Sequence, residues 1–130
     1  MIAVDTSSMI SYMKGEEGKD IDILRSCILA ENIVLPPVVL SELLSDHNLP
    51  IHINEILVRL PLLEVKEGYW ERVGLLRAKV LSKGLKARMA DSLIAGCCID
   101  NDKKLITRDR DFIKFSQYCD LNIILEMIEL

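Results

Sequence analysis

The stretch "MIAVDTSSMISYM", residues 1–13, decides how this chain is read. Ile2, Ala3 and Val4 form the short apolar run of a parallel strand buried on both faces. Asp5 stops the run, and "TSS" at 6–8 supplies polar residues able to cap a helix reaching about Tyr12. A carboxylate has no packing value in a core, and burying it unpaired is costly. An Asp at a strand-to-helix junction is therefore a cap, or one of several acids gathered around a cation.

The same strand-then-helix grammar recurs along the chain. "KGEEGKD" (14–20) is a loop by its glycines and charges, and Asp20 or Asp22 starts a helix to about Asn32 with Ile21, Leu24 and Ile28 on one stripe. "IVLPP" (33–37) is a second strand, ended by prolines of which the second suits the first turn of a helix over 37–45. "DHNLP" breaks that helix. The next spans 51–60, with Ile53, Ile56, Leu57 and Leu60 inward. "LLEV" (62–65) predicts a third strand. A long helix over 69–82 follows, with Val73, Leu76 and Val80 in register and Gly84 at its end. Residues 89–101 make another helix, "KLIT" from Lys104 a fourth strand, "DFIKFSQY" a loop with a short helix, and "LNIILE" from Leu121 a fifth strand.

Short apolar strands alternating with helices predict one three-layer α/β/α domain over residues 1–130, with a mainly parallel, five-stranded sheet. In such sheets the functional crevice lies beyond the carboxyl ends of the strands. Asp5 is at the first such end. Glu42, in "PPVVLSELL", lies on the helix that follows the second strand. Asp91, in "MADSLIAGCC", opens an apolar helix. In "LITRDRDF", Thr107 and Asp109 follow the fourth strand, with Asp109 preferred as the site residue and Asp111 as a cap for the short helix. Each acid has an ordinary explanation as a cap, a first-turn residue or a solvated surface group. Their repeated placement at one sheet edge is what capping alone explains poorly. Close carboxylates repel, so their joint ionisation needs a cation. An oxygen-rich set without His or Cys suits Mg²⁺, with Mn²⁺ as substitute, better than zinc.

Bulk properties narrow the class. The chain has 130 residues, half of them hydrophobic and 28% charged, with a net charge of -4. That is enough for one full core, and it argues against a protein that grips nucleic acid by overall charge. A local exception lies between Glu71 and Asp91, where Arg72, Arg77, Lys79, Lys83, Lys86 and Arg88 occur without an acid. Lys79, Lys83, Lys86 and Arg88, with Arg108 and Arg110 around Asp109, are candidate phosphate contacts; the ordinary alternative is a solvated helix face. Cys27, Cys97, Cys98 and Cys119 lack zinc-site spacing, and Cys97 and Cys98, adjacent within an apolar segment, read as buried or half-buried free thiols in a reducing compartment. His47 and His52 read as surface residues. Trp70 reads as a packing residue, in the core or between subunits. The first residues carry no basic run leading into a long apolar segment, and no stretch approaches about 18 apolar residues, so a cytoplasmic protein without membrane contact is expected.

Taken in order, "VDTSSMISYM", "PPVVLSELL", "ADSLIAGC" and "LITRDRDF" make the chain resemble a PIN-domain ribonuclease, more narrowly a VapC-type toxin of a type II toxin–antitoxin pair. The resemblance covers nearly the whole chain. "DTSS" carries little of it; "DSLIA" followed by "LITRDRDF" carries most. It implies that Asp5, Glu42, Asp91 and Asp109 form the catalytic, Mg²⁺-binding acidic cluster, with Ser7, Thr107 and Asp111 in support. It also implies a metal-dependent endoribonuclease acting on RNA, a homodimer, and a cognate antitoxin that blocks the acidic site. Other readings remain open from the residues: a DNA or RNA-processing nuclease with the same centre, or a catalytically inactive nucleic-acid or protein binding module. A phosphate-accepting response receiver fits poorly, because its acceptor Asp would follow a central strand and pair with a later Lys.

Overall fold

A computed structural model describes residues 1–125. The elements run β1 (Ile2–Val4), α1 (Thr6–Met13), α2 (Lys19–Leu29), β2 (Ile33–Val34), α3 (Pro37–Leu44), α4 (Ile51–Leu57), α5 (Tyr69–Leu81), α6 (Met89–Asp100), β3 (Leu105–Thr107), a 3-10 turn (Arg110–Phe112), α7 (Ile113–Cys119) and β4 (Ile123–Leu125). The strands form one parallel sheet in the order β2-β1-β3-β4. β1 is central, pairing Ala3 with both Val34 and Leu105, which is why its residues are apolar without alternation. Ala3, Val4, Leu105 and Ile106 are fully buried.

The sheet has four strands among the described residues, against the five predicted. The segment 62–65 makes only a single parallel bridge, Leu35 to Leu62, flanked by Leu35 N–H to the Pro61 carbonyl and Leu63 N–H to the Leu35 carbonyl, both 2.9 Å. The cause is the proline pair that follows Leu35. Pro36 and Pro37 have no N–H and turn the chain into α3, so the ladder has no donor beyond Leu35 with which to continue along Glu64 and Val65. Of the four residues only Leu63 is buried; Leu62, Glu64 and Val65 face solvent. The predicted strand through Glu126 is seen as Ile123–Leu125, and Glu126 lies outside the described residues.

The helices agree with the periodicity, with shifted ends. α2 begins at Lys19, inside the predicted loop, and stops at Leu29; α4 stops at Leu57, and Ile56 points outward rather than inward, 55% exposed. Ile21, Leu24, Val73, Val80, Ile94, Cys97 and Cys98 are buried as their stripes require. "DFIKFSQY" is more ordered than a loop: a 3-10 turn runs straight into α7, and Phe112 and Phe115 enter the core with ring centroids 6.1 Å apart. Trp70 is not a core residue; it is 69% exposed, with its ring edge-on to buried Tyr69. α5 and α6 meet closely at Gly96, where an added Cβ would lie 2.7 Å from Val73 Cγ2. His47 and His52 are exposed, and the four cysteines are free. Among the described residues no helix is long and apolar enough to cross a membrane.

Candidate acidic site

The parallel register aligns the strand ends, so whatever follows Val4 and Thr107 is delivered to one edge. Asp5 continues from β1, its N–H donating to the Ile106 carbonyl, and then turns out of the ladder to become the N-cap of α1. The cap is Asp5 itself rather than the "TSS" that follows. Its Oδ1 accepts the Ser8 N–H at 3.0 Å, and the Ser7 hydroxyl lies 2.9 Å from both carboxylate oxygens. Its Oδ2 accepts the Thr107 hydroxyl at 2.6 Å. Capping and site placement are thus one geometry, since a helix start at a strand's carboxyl end faces the crevice.

Thr107 links two acids. While its hydroxyl donates to Asp5, its Oγ1 accepts the Asp109 N–H at 3.0 Å. Asp109 caps the 3-10 turn by accepting the Asp111 N–H at 2.9 Å, so the cap is Asp109 and not Asp111 as the sequence suggested. That capping turn also swings Asp111 toward the site. Asp91, in the first turn of α6, Asp109 and Asp111 each offer a carboxylate oxygen within 4.8 Å of the other two. Glu42 is exposed on α3, and its Oε1 accepts the Thr6 hydroxyl at 2.7 Å.

Asp5, Ser7, Glu42, Arg88, Asp91 and Asp109 line one open cleft of about 240 Å³, with Thr6 and the apolar Ile10, Ile94 and Phe112 completing its wall. The four acids singled out from sequence are therefore brought together, with Asp111 at the edge of the group. Thr6 is the residue that sequence reasoning missed; its partner is 36 positions away and nothing local marks it. Among the basic candidates, Arg88 lines the cleft. Lys79, Lys83, Lys86 and Arg110 are exposed, with Lys83 Nζ 5.6 Å from the Tyr118 ring centroid. Arg108 is directed elsewhere: its guanidinium binds Asp20, Glu16 and the Glu17 carbonyl.

The electrostatics are those of acids crowded without enough positive charge. Burial pushes the Asp5 carboxyl up to about 6; hydrogen bonds from Thr107, Ser8 and Ser7 pull against that, and repulsion from Asp109 adds to it. Burial likewise pushes Asp91 up to about 6, with repulsion from Asp109 and Asp111 in the same direction and Arg88 and Lys114 opposing. Two carboxylates that resist ionisation beside two more are a donor set that a divalent cation would relieve. All the donors are hard oxygens, which suits Mg²⁺ or Mn²⁺. The nearby thiols do not belong to this chemistry. Burial raises the Cys97 thiol to about 11, with Asp100 adding to it, and raises Cys98 further still.

Comparison with known proteins agrees with the geometry. By sequence, no curated protein matches the chain. Solved structures do. VapBC-1 from nontypeable Haemophilus influenzae is 24% identical, covering 95% of this chain and 97% of its own, at a TM-score of 0.75. DNA-bound VapBC from Salmonella typhimurium is 18% identical over 98% of this chain and 100% of its own, at 0.74. VapBC2 from Rickettsia felis, bound to a DNA fragment from its promoter, is 21% identical over 96% and 98%, at 0.71. At these identities the likeness is one of fold. The PIN domain model matches residues 2–118, which include every acid of the cleft, and the chain belongs to the PIN-domain family.

Proposed function

We propose that this chain is a divalent-cation-dependent endoribonuclease, the toxin component of a VapBC-like toxin–antitoxin pair. The observation that carries the reading is the convergence of Asp5, Glu42, Asp91 and Asp109 on one cleft lined also by Arg88. Asp5, Asp91 and Asp109 would hold the ion, with Asp111 and Glu42 completing the acidic wall. A bound Mg²⁺ or Mn²⁺ would supply neutralisation of the scissile phosphate and acidification of an attacking water. The chain's own groups do the rest. Thr107, Ser7 and the Ser8 N–H hold the Asp5 carboxylate in one orientation. Thr6 steers Glu42. Arg88 offers a phosphate contact at the cleft, and exposed Lys83, Lys86 and Arg110 are further candidates that would offset the chain's net negative charge. No protein nucleophile is needed, and the inert Cys97 and Cys98 supply none.

The antitoxin reading has its own support. The acidic cleft shares Ile10 and Glu42 with a hollow lined by Met13, Leu43 and Leu49. Met13 leads on to an apolar groove lined by Met9, Tyr12, Ile53 and Leu57. A peptide with an apolar face and a cationic end would suit that trough. Self-association of the chain as a homodimer belongs to the same proposal, and light scattering of the purified chain tests it.

The deciding experiment is cleavage of mixed cellular RNA, and of DNA in parallel, with Mg²⁺, with EDTA, and with Asp5→Asn or Asp91→Asn. Loss of RNA cleavage with EDTA and in both folded variants is expected. Cleavage confined to DNA would replace the substrate class. No cleavage together with no Mn²⁺ binding by calorimetry would leave a binding module in place of an enzyme.

A further inference from the structure

One buried charge has no part in the cleft. Asp20, at the start of α2, is fully buried, and no residue lining the acidic cleft bonds it directly. Burial alone would raise its carboxyl. The hydrogen bonds of Arg108 and Ser8, and the Arg108 charge, outweigh that and hold it below the ordinary carboxylate value. The pair with Arg108 is bidentate: Nε to Oδ2 and Nη2 to Oδ1, both 2.9 Å. A planar fork of this kind fixes direction as well as distance. Arg108 is tied further to Glu16 Oε2 at 3.0 Å and to the Glu17 carbonyl at 3.1 Å.

Its neighbours give the pair a meaning. Ser8 donates its hydroxyl to Asp20 Oδ2 at 3.0 Å and its N–H to Asp5 Oδ1 at 3.0 Å. Arg108 stands between Thr107, which donates to Asp5, and Asp109, whose N–H donates to Thr107. The ion pair therefore clamps together the two chain segments that bond Asp5 from either side. We infer that the Asp20–Arg108 pair positions the acidic site, setting the Ser8 and Thr107 donors at a fixed spacing around Asp5 and aiming Asp109 beside it. Neither residue touches a substrate or an ion; both act through Ser8, Thr107 and Asp109. The inference rests on the nuclease reading only where activity is measured.

The test uses the full chain with Asp20→Asn, Ser8→Ala and a control, Asp100→Asn. The control breaks another bidentate pair, Arg72 with Asp100, which joins α5 to α6 away from the cleft. Three readouts are followed: Mn²⁺ affinity by calorimetry, amide exchange at Ser8 and Asp109, and kcat against KM on RNA. Asp20→Asn and Ser8→Ala are expected to weaken Mn²⁺ binding about 10-fold, as loss of groups that orient metal ligands commonly does. They should also speed exchange at both amides and lower kcat with KM unchanged, while Asp100→Asn moves only the unfolding temperature. If Asp20→Asn does not fold, Ser8→Ala, which leaves the ion pair intact and cuts its link to α1, decides alone. Wild-type Mn²⁺ affinity and wild-type exchange in the folded variants would overturn the inference. A wild-type chain that neither binds Mn²⁺ nor cleaves RNA would overturn the nuclease reading. Positioning would then be decided by exchange: faster exchange at Ser8 and Asp109 supports it, and unchanged exchange refutes it.

Discussion

Replacing Asp5 by Asn should abolish function and strengthen the fold, in a way that depends on pH. The Asp5 carboxyl titrates at about 6 in the folded chain against an ordinary 3.8. That gap of roughly 2 pH units, at about 1.36 kcal/mol each, means that ionising the group costs the metal-free fold about 3 kcal/mol. Asp5 is only 2% exposed, so solvent screens little of this. The folded chain holds the proton to higher pH than the unfolded one, so stability falls as pH rises between 3.8 and about 6, and the full penalty persists above. Asparagine keeps an oxygen for the Ser8 N–H, and its amide faces hydroxyls that can rotate. Imperfect bonding returns about 1 kcal/mol of the gain. The variant should therefore be about 2 kcal/mol more stable than wild type near pH 8 in EDTA, roughly 6–8 °C in unfolding temperature for a chain of this size. Near pH 4 that advantage should vanish or reverse by about 1 kcal/mol. Thermal unfolding followed by circular dichroism at both pH values measures it, and added Mn²⁺ should stabilise wild type more than the variant. Equal destabilisation of the variant at both pH values would refute the claim that Asp5 is held ionised at a cost.

Other expectations follow from single contacts. Thr107→Val keeps the shape of a fully buried residue but removes the 2.6 Å bond to Asp5. A bond to a charged group is worth about 1.5–3 kcal/mol, so the acid limb of the pH–rate profile should move up by about one to two pH units. Gly96→Ala drives a Cβ against Val73 and should lower stability by about 1–3 kcal/mol in denaturant titration, leaving Mn²⁺ affinity unchanged. Arg88→Gln should weaken RNA binding and reduce the slope of log affinity against log salt by about 0.7, the single-strand value for one phosphate contact; an unchanged slope would remove Arg88 from the interface.

What the sequence could and could not reveal follows from the range of each interaction. Asp5, Asp91 and Asp109 were legible because an acid directly after an apolar strand, or at the start of an apolar helix, stands out locally. Glu42 was legible only by its company, being exposed on a short helix. The cap of the 3-10 turn was assigned to Asp111 instead of Asp109, which lines the cleft and caps at once, because a cap is decided by φ and ψ, which two aspartates two residues apart do not distinguish. The third strand was overpredicted because "LLEV" has strand propensity, whereas its pairing partner is cut short at Pro36. Arg108 was misdirected toward substrate because its partner, Asp20, lies 88 positions earlier beside a loop that reads as solvated charge. Hydrogen bonds across such distances leave no periodicity and no local composition signal.

The bond between Thr107 and Asp5 joins residues 102 positions apart. Asp5 is made 102 residues before Thr107, so its partner strand emerges long after the first strand has been synthesised. At synthesis rates of about 5–20 residues per second, the first strand waits roughly 5–20 s for the segment that completes its surroundings. The acids from β1, α3, α6 and the β3 exit cannot converge before then. Any activity the cleft carries is thereby withheld from the nascent chain, and the interval gives a binding partner time to meet α1 before the site has closed.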